Sequence, residues 1–379
     1  MMKTIRFGII GGGMMGKEFA SAAARWCHLT SVSAKPEIVA LCDTNVAIHG
    51  WYRDNFPSIR TYTEDYQALL NDESIDAIYC AVPHHLHETL YIDIIKSGKH
   101  LLAEKPFGID RSASEKILAC IEAHPDVFVR CTSEFPFYPA MQAMIRDMKN
   151  CGENTFLHAD IGFLHSSDIN PDKPINWKRQ KPFCGEYGCM GDLGMHILHV
   201  PLKLGWTFES VYAQLSDVVA KRKNTQGEWV DCDTFENADL HCMTTWQGQT
   251  FPTRLKTYRI APGHNNSWYF ELNGIYGSFR FSTANPNQYE KMAYQAGGAQ
   301  IWQTVPVGYL PAYPTISGGI MEFGFTDAVL QMWASFIDEL VTGSVTGFQC
   351  VTPQEAMIQH QIFTAALLSH QNQSVEKIQ

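Results

Sequence analysis

The segment Gly11-Gly12-Gly13-Met14-Met15-Gly16 constrains this chain more than any other. It follows the apolar run Phe7–Ile10 and opens an alanine-rich helical pattern reaching Ala24. Between a strand and a helix, G-x-G-x-x-G spacing has a mechanical meaning. Gly11 permits the tight turn, Gly13 lets a pyrophosphate approach the backbone, and Gly16 lets helix and strand pack closely. The first amides of the helix, at Met14 and Met15, then face the phosphates. The loop predicts a dinucleotide-binding fold.

The first third of the chain extends that pattern. Ile5–Ile10, Glu37–Cys42, Ala77–Val82, His100–Ala103 and Val127–Cys131 read as short buried strands, with Thr61-Tyr62 a marginal sixth. Helical patterns lie between them, at Met15–Ala24, Val46–Asn55, Glu64–Leu70, His87–Ser97 and Ser112–Ala123. This alternation predicts a parallel sheet with helices on both faces. The two prolines of Glu134-Phe135-Pro136-Phe137-Tyr138-Pro139 break it and mark a domain junction. Beyond a helix at Ala140–Asn150, six strand candidates between Phe156 and Phe281 are separated by Gly, Asn and Pro turns. They predict a largely antiparallel sheet. Helices at Phe325–Thr342 and Pro353–His370 close the chain, the second with Thr352 as N-cap and proline in the first turn. The expected fold is α/β. A Rossmann domain at residues 1–132 precedes an α/β domain with a large, mostly antiparallel open sheet at 133–352, and helix 353–370 is a candidate to pack back on the first.

A length of 379 residues suits two cores. A net charge of −10 argues against nucleic acid as a partner, and the basic run Lys221-Arg222-Lys223 reads as a solvated loop. No apolar run approaches the roughly 18 residues of a membrane span. Lys3, Arg6 and the apolar stretch after them imitate a secretory signal, but Gly11–Gly13 interrupt it and cleavage there would delete the first strand. The eleven cysteines include no C-x-x-C pair and read as small buried hydrophobes in a reducing compartment. A cytoplasmic location without a structural zinc site is expected.

Asp43 ends the second strand. A carboxylate there accepts hydrogen bonds from the adenosine ribose and repels a 2′-phosphate, and Thr44 and Asn45 offer no cation to hold one. NAD is favoured over NADP; the alternative is that Asp43 is only a helix cap. Ala81-Val82-Pro83 leaves the next strand at the carboxyl edge of the sheet, where ligands of such folds bind. The histidines after it, His84, His85 and His87, cannot easily aim at one metal ion from so short a loop. Glu104-Lys105-Pro106 closes the strand at His100–Ala103 and places a cation beside the cofactor. Ala81, Pro83, His87, Glu104 and Lys105 therefore join the glycine loop as candidate cofactor contacts. Farther on, Asp192 and His196 stand at i and i+4, on one face of a helix if Asp192 begins one. A carboxylate beside an imidazole suits general-base chemistry, and a buried structural histidine is the alternative.

Taken together, Gly11–Gly16, Ala81-Val82-Pro83, Glu104-Lys105-Pro106, Asp192-Leu193-Gly194-Met195-His196 and the late segment Asn273–Phe281 resemble the glucose–fructose oxidoreductase/inositol dehydrogenase/MocA family. The resemblance runs nearly from end to end. It implies a catalytic Lys105, Asp192 and His196, and a second domain that forms homodimer or homotetramer contacts through its sheet. His199 and Glu134 depart from the family pattern, which has an aspartate at the first position and Arg or Asn at the second in many members. His165, Trp177 and Lys178, with Asp192 and His196, are candidate contacts for a polyhydroxylated substrate; Trp177 could equally be a packing residue and Lys178 a solvated one.

Three functions follow. The first is NAD-dependent hydride transfer at a secondary alcohol of a sugar, sugar derivative or cyclitol. The second is an oxidation-initiated glycoside-cleaving enzyme or a sugar 3-dehydrogenase. The third is a non-catalytic nucleotide- and sugar-sensing regulator, against which Lys105, Asp192 and His196 argue.

Overall fold

The computed structural model describes residues 2–152, 155–307, 312–316 and 323–379. The chain divides into two compact units, Met1–Phe137 with Tyr309–Ala356, and Tyr138–Gly308 with Met357–Gln379.

The first unit opens with strands β1 (Lys3–Ile10), β2 (Ala34–Cys42), β3 (Thr61–Thr63), β4 (Ala77–Cys80), β5 (His100–Ala103) and β6 (Val129–Cys131). Their order in the sheet is β3-β2-β1-β4-β5-β6, and every neighbouring pair is parallel. Between them run α1 (Met14–Ala24), α2 (His49–Asn55), α3 (Gln67–Leu70), α4 (His87–Lys96) and α5 (Arg111–Ala123). The short apolar strands are buried along nearly their whole length, as parallel strands covered on both faces must be. Because the strands are parallel, all their carboxyl ends lie at one edge. The order reverses between β1 and β4, which makes the crevice beside Ile10 and Cys80 the switch point of the sheet.

The second unit begins with α6 (Pro139–Lys149), α7 (Lys181–Cys184) and α8 (Cys189–Lys203). Its strands are β7 (Phe156–Leu164), β8 (Thr207–Ser216), β9 (Lys221–Lys223), β10 (Trp229–Asp231), β11 (Asn237–Trp246), β12 (Gln249–Tyr258), β13 (Ser267–Gly274), β14 (Ser278–Ser282), β15 (Gln288–Met292), β16 (Gln303–Pro306) and β17 (Glu376–Lys377). Nine of them form one sheet, β16-β15-β14-β13-β7-β12-β11-β8-β17, antiparallel except where β7 meets β12. β9 and β10 form a separate ribbon. Along β11, β12 and β13 buried and more exposed residues alternate, so one face of the sheet is covered. The buried helix α8 packs on β7, β11 and β12. Its two internal glycines and Pro201 make α8 a poor helix by propensity, so tertiary packing is what holds it.

Two helices follow, α9 (Phe325–Thr342) and α10 (Pro353–Asn372). A division at residue 352 would leave α9 with the second domain, but it closes the first unit instead. Trp333 of α9 meets Phe7 at 5.3 Å and Trp26 at 5.8 Å between ring centroids, both edge to face. α10 starts from a reciprocal cap, in which Glu355 N–H donates to Thr352 Oγ1 and Thr352 N–H to Glu355 Oε2. From Met357 onward it belongs to the second unit. Among the described residues no helix is long and apolar enough to cross a membrane.

Candidate active site

In the first unit the glycine loop is bounded by backbone on two sides. Gly11 has φ +94°, and a Cβ there would lie 2.3 Å from the Ala81 carbonyl oxygen. A Cβ on Gly16 would lie equally close, 2.3 Å, to the Gly11 carbonyl oxygen. Neither neighbour can yield, since both are main chain. At Gly13, by contrast, a Cβ would meet nothing within 4 Å. Gly13 is the N-cap of α1 and supplies no side-chain cap, so the first amides of the helix are left for another acceptor.

Asp43 is built into this loop. Gly12 N–H donates to its Oδ2 at 2.7 Å, and Asn45 N–H to its Oδ1 at 2.8 Å. The helical turn after it is capped by Asn45, whose side chain accepts from Ala47 N–H at 3.2 Å. An ionised carboxylate has about four acceptor sites, so both oxygens retain capacity for ribose hydroxyls. The open face at Gly13, the uncapped amides of α1 and the acid at the end of β2 fit a dinucleotide.

Two further turns meet at the same edge. Ala81 N–H donates to the Ile10 carbonyl at 2.8 Å, sewing the turn after β4 to β1, and Pro83 caps the short helical turn His84–Leu86. His87, fully buried at the start of α4, places Nδ1 2.7 Å from the Pro106 carbonyl and Nε2 2.9 Å from that of Val82. It thereby ties the turn after β4 to the turn after β5. Burial pushes this imidazole down to about 4 against the pull of the two carbonyls, which favour the charged ring.

Glu104 is buried and accepts the Tyr79 hydroxyl on Oε1 at 2.7 Å and the Lys105 N–H on Oε2 at 3.3 Å. Tyr91 donates to the Glu104 carbonyl at 2.7 Å. These bonds anchor the half-buried Lys105, which precedes Pro106 through a cis peptide. Glu134 is sealed in the same unit, two residues past Thr132, whose N–H pairs with the Ala103 carbonyl at 2.9 Å. Burial first, and then the Glu104 charge, push its carboxyl up to about 7, with Lys105 pulling the other way.

In the second unit Asp192 lies in the first turn of α8 and His196 one turn later, both buried. Lys178 Nζ contacts both Asp192 oxygens, at 3.0 and 2.9 Å, and Arg259 Nη2 donates to Oδ2 at 2.8 Å. The half-exposed Lys178 also lies 5.6 Å from the centroid of the Trp177 ring. Phe163 stands between two candidate histidines, 4.5 Å from the His165 ring and 5.2 Å from that of His196 by centroids. The His196 carbonyl accepts the Trp268 indole N–H at 3.0 Å, which pins this turn of α8 to β13. The second unit thus gathers His165, Trp177, Lys178, Asp192 and His196 around the N-terminal half of α8, and the first gathers the glycine loop, Asp43, His87, Glu104 and Lys105.

Two buried arginines were not legible as part of this site. The run Lys221–Lys223, expected as a solvated loop, is strand β9, and Arg222 within it is fully buried. Its guanidinium donates to the carbonyls of Asn170 and Asp168, so the bonds that bury it come from a distant loop. Arg259 had a signal. Phe251, Thr253, Leu255 and Thr257 mark the buried parity of β12, and Arg259 continues it. Among the described residues no group of three or more His, Cys, Asp or Glu is arranged to hold a metal ion.

A model of the oxidoreductase family with an NAD-binding Rossmann fold matches residues 5–131. The levoglucosan dehydrogenase of Pseudarthrobacter phenanthrenivorans is 25% identical over 329 residues, covering 83% of this chain and 82% of the relative. The chain matches the Gfo/Idh/MocA oxidoreductase family over residues 5–131. Its first unit is the family's NAD-binding Rossmann fold. Inositol 2-dehydrogenase of Corynebacterium glutamicum is 26% identical over a shorter stretch, 118 residues, which is 31% of this chain and 33% of that one. Among solved structures, levoglucosan dehydrogenase in complex with NADH superposes with a TM-score of 0.87 at 21% identity over the whole of both chains. An oxidoreductase domain protein from Kribbella flavida does so at 0.88 with 18% identity, again over both chains. At these identities the two structures speak for the shared fold.

Proposed function

We propose that this protein is an NAD-dependent dehydrogenase acting on a secondary alcohol of a sugar, sugar derivative or cyclitol. The observation that carries the reading is the placement of Lys105. It follows β5, at the carboxyl edge shared with the glycine loop after β1, and it is held there by Glu104 and by the His87 bridge. Similarity to a levoglucosan dehydrogenase along 83% of the chain favours a sugar-like substrate.

Bound NAD supplies the carbon that accepts the hydride. Lys105 donates a hydrogen bond to the reacting oxygen and stabilises the negative charge that develops on it. His196 takes the hydroxyl proton at a ring nitrogen, and Asp192 fixes the orientation of the imidazole. Asp43 selects NAD over NADP through the ribose hydroxyls. Trp177, His165 and Lys178 contribute an aromatic face and polar groups to substrate binding. The second-unit sheet carries the contacts of a homodimer or homotetramer, and the protein works in the cytoplasm.

Purified protein is to be screened with NAD against cyclitols, aldoses, anhydrosugars and glycosides, reading NADH absorbance together with product mass. The expected result is NADH in equal amount to a product that has lost two hydrogens. Glycoside cleavage without net NADH, or NAD-independent binding alone, would overturn this reading.

A further inference from the structure

Three arginine side chains are sealed inside the second unit, those of Arg179, Arg222 and Arg259. Arg179 lies 3.1 Å from Glu236 and 3.7 Å from the exposed Asp217 and donates to the Thr234 carbonyl and hydroxyl, while Arg222 lies 3.8 Å from Glu236 and donates to main-chain carbonyls. Arg259 differs in facing two acids that are both buried, Asp192 at 2.8 Å and Asp168 at 3.7 Å. Its own main chain is fixed, since its N–H donates to the Glu236 carbonyl at 2.8 Å.

Asp192 therefore carries two cations of unlike character. The Arg259 side chain is 3% exposed, whereas that of Lys178 is 36% exposed. A guanidinium is a rigid fork that holds its geometry, while an ammonium on a four-carbon stem swings at small cost. Asp168, the second acid on Arg259, has its own cation in Lys173 at 2.8 Å, and these neighbours hold its carboxyl below the ordinary carboxylate range despite burial. Lys173 serves Asp168, so Arg259 is the buried cation that Asp192 retains if Lys178 moves.

We propose that Arg259 is the positioning residue for Asp192, holding its carboxylate from the buried side while Lys178 exchanges between that carboxylate and an oxygen of the bound substrate. The proposal rests on the dehydrogenase reading for the identity of the substrate. Without Arg259, movement of Lys178 would strip a buried carboxylate of both cations described on it, which is costly for such a group. With Arg259, Lys178 can turn outward and Asp192 keeps its place on the face of α8.

The test is a double-mutant cycle. Arg259→Met and Arg259→Lys are made in the parent and in Asp192→Asn, with active sites counted by NADH titration so that misfolded protein is excluded. Arg259→Met is expected to lower kcat per NADH site about 10- to 100-fold in the parent and less than about threefold in Asp192→Asn, a coupling within the range for residues in contact. Arg259→Lys should recover most of the loss, and Lys178→Met should act mainly on KM. Equal losses from Arg259→Met in both backgrounds would overturn the proposal, because Arg259 would then not act through Asp192. Absence of turnover in the parent on any polyol would sink the dehydrogenase reading separately. Thermal melts of the same proteins then still read the pair, and equal destabilisation by Arg259→Met in both backgrounds rejects the Arg259–Asp192 assignment.

Discussion

The main-chain N–H of Gly12 donates to Oδ2 of Asp43 across 2.7 Å. The phosphate loop after β1 and the acid after β2 are thus one structural piece, and Asp43 both shapes the loop and presents a carboxylate beside it. Replacing it has two consequences. Asp43→Ser removes the charge proposed to repel a 2′-phosphate and loosens Gly12. Binding of NAD is expected to weaken about tenfold, the scale of one charge-assisted hydrogen bond, with a smaller effect on NADP. Fluorescence titration of both cofactors measures the ratio. An unchanged NAD-to-NADP preference would remove Asp43 from cofactor selection.

Lys105 and His196 are predicted to matter for turnover far more than for cofactor affinity. Lys105→Ala and His196→Ala should each reduce kcat by about 10²- to 10⁴-fold, the usual range for a proton-transfer partner or an oxyanion donor. NADH should still bind to both variants. Near-normal turnover in both on the true substrate would refute the assignment.

Gly194 sits on α8 between Asp192 and His196, and a Cβ there would lie 2.2 Å from Phe363 Cζ of α10. Gly194→Ala therefore forces ring and helix apart, an overpacking cost of about 1–3 kcal/mol. A lower melting temperature is expected, together with a loss of kcat because α8 carries Asp192 and His196, the proposed proton-transfer pair. Phe363→Leu in the same protein frees the space and should restore part of both, whereas a melting temperature equal to that of the parent in Gly194→Ala would show that the contact is soft.

The buried Glu134 carboxyl titrates near 7, well above the ordinary range for glutamate. Between those two values the folded protein binds more protons than the unfolded chain, so stability falls as pH rises. Its favourable contribution is complete in acid, below the unfolded value, and is lost as pH passes through about 7. Glu134→Gln removes that dependence. Relative to the parent, the variant should melt higher at pH 8 than at pH 5, and an identical difference at the two pH values would contradict the assignment.

Much of the first unit was legible because its signals are local. Glycine spacing, an acid at a strand end and the Glu-Lys-Pro turn each lie within a few residues, and all fall at the edge where the parallel sheet places its ligand face. Asp192 and His196 were legible through helical spacing, and α8 does carry both. The partners of Asp192 were not. Arg259 is distant in sequence, and Lys178 belongs to a loop whose course no periodicity predicts. Lys221-Arg222-Lys223 has no hydropathy contrast, so the alternation that buries only its middle residue left no trace. The short strands β15, β16 and β17 were missed for a related reason, since polar residues on a sheet margin carry little patterning.

The return of α9 to the first unit has a consequence for synthesis. Phe7 and Trp26 appear early, but Trp333, which packs against both, emerges only after residues 138–324 have been made. Domains usually fold as contiguous units while the ribosome is still working. Here the dinucleotide fold must wait with one wall missing, its aromatic core open to solvent or to a chaperone, until nearly the whole chain has left the exit tunnel. A stalled or prematurely terminated chain ending before Phe325 would accordingly be an aggregation hazard and not a small working nucleotide-binding protein.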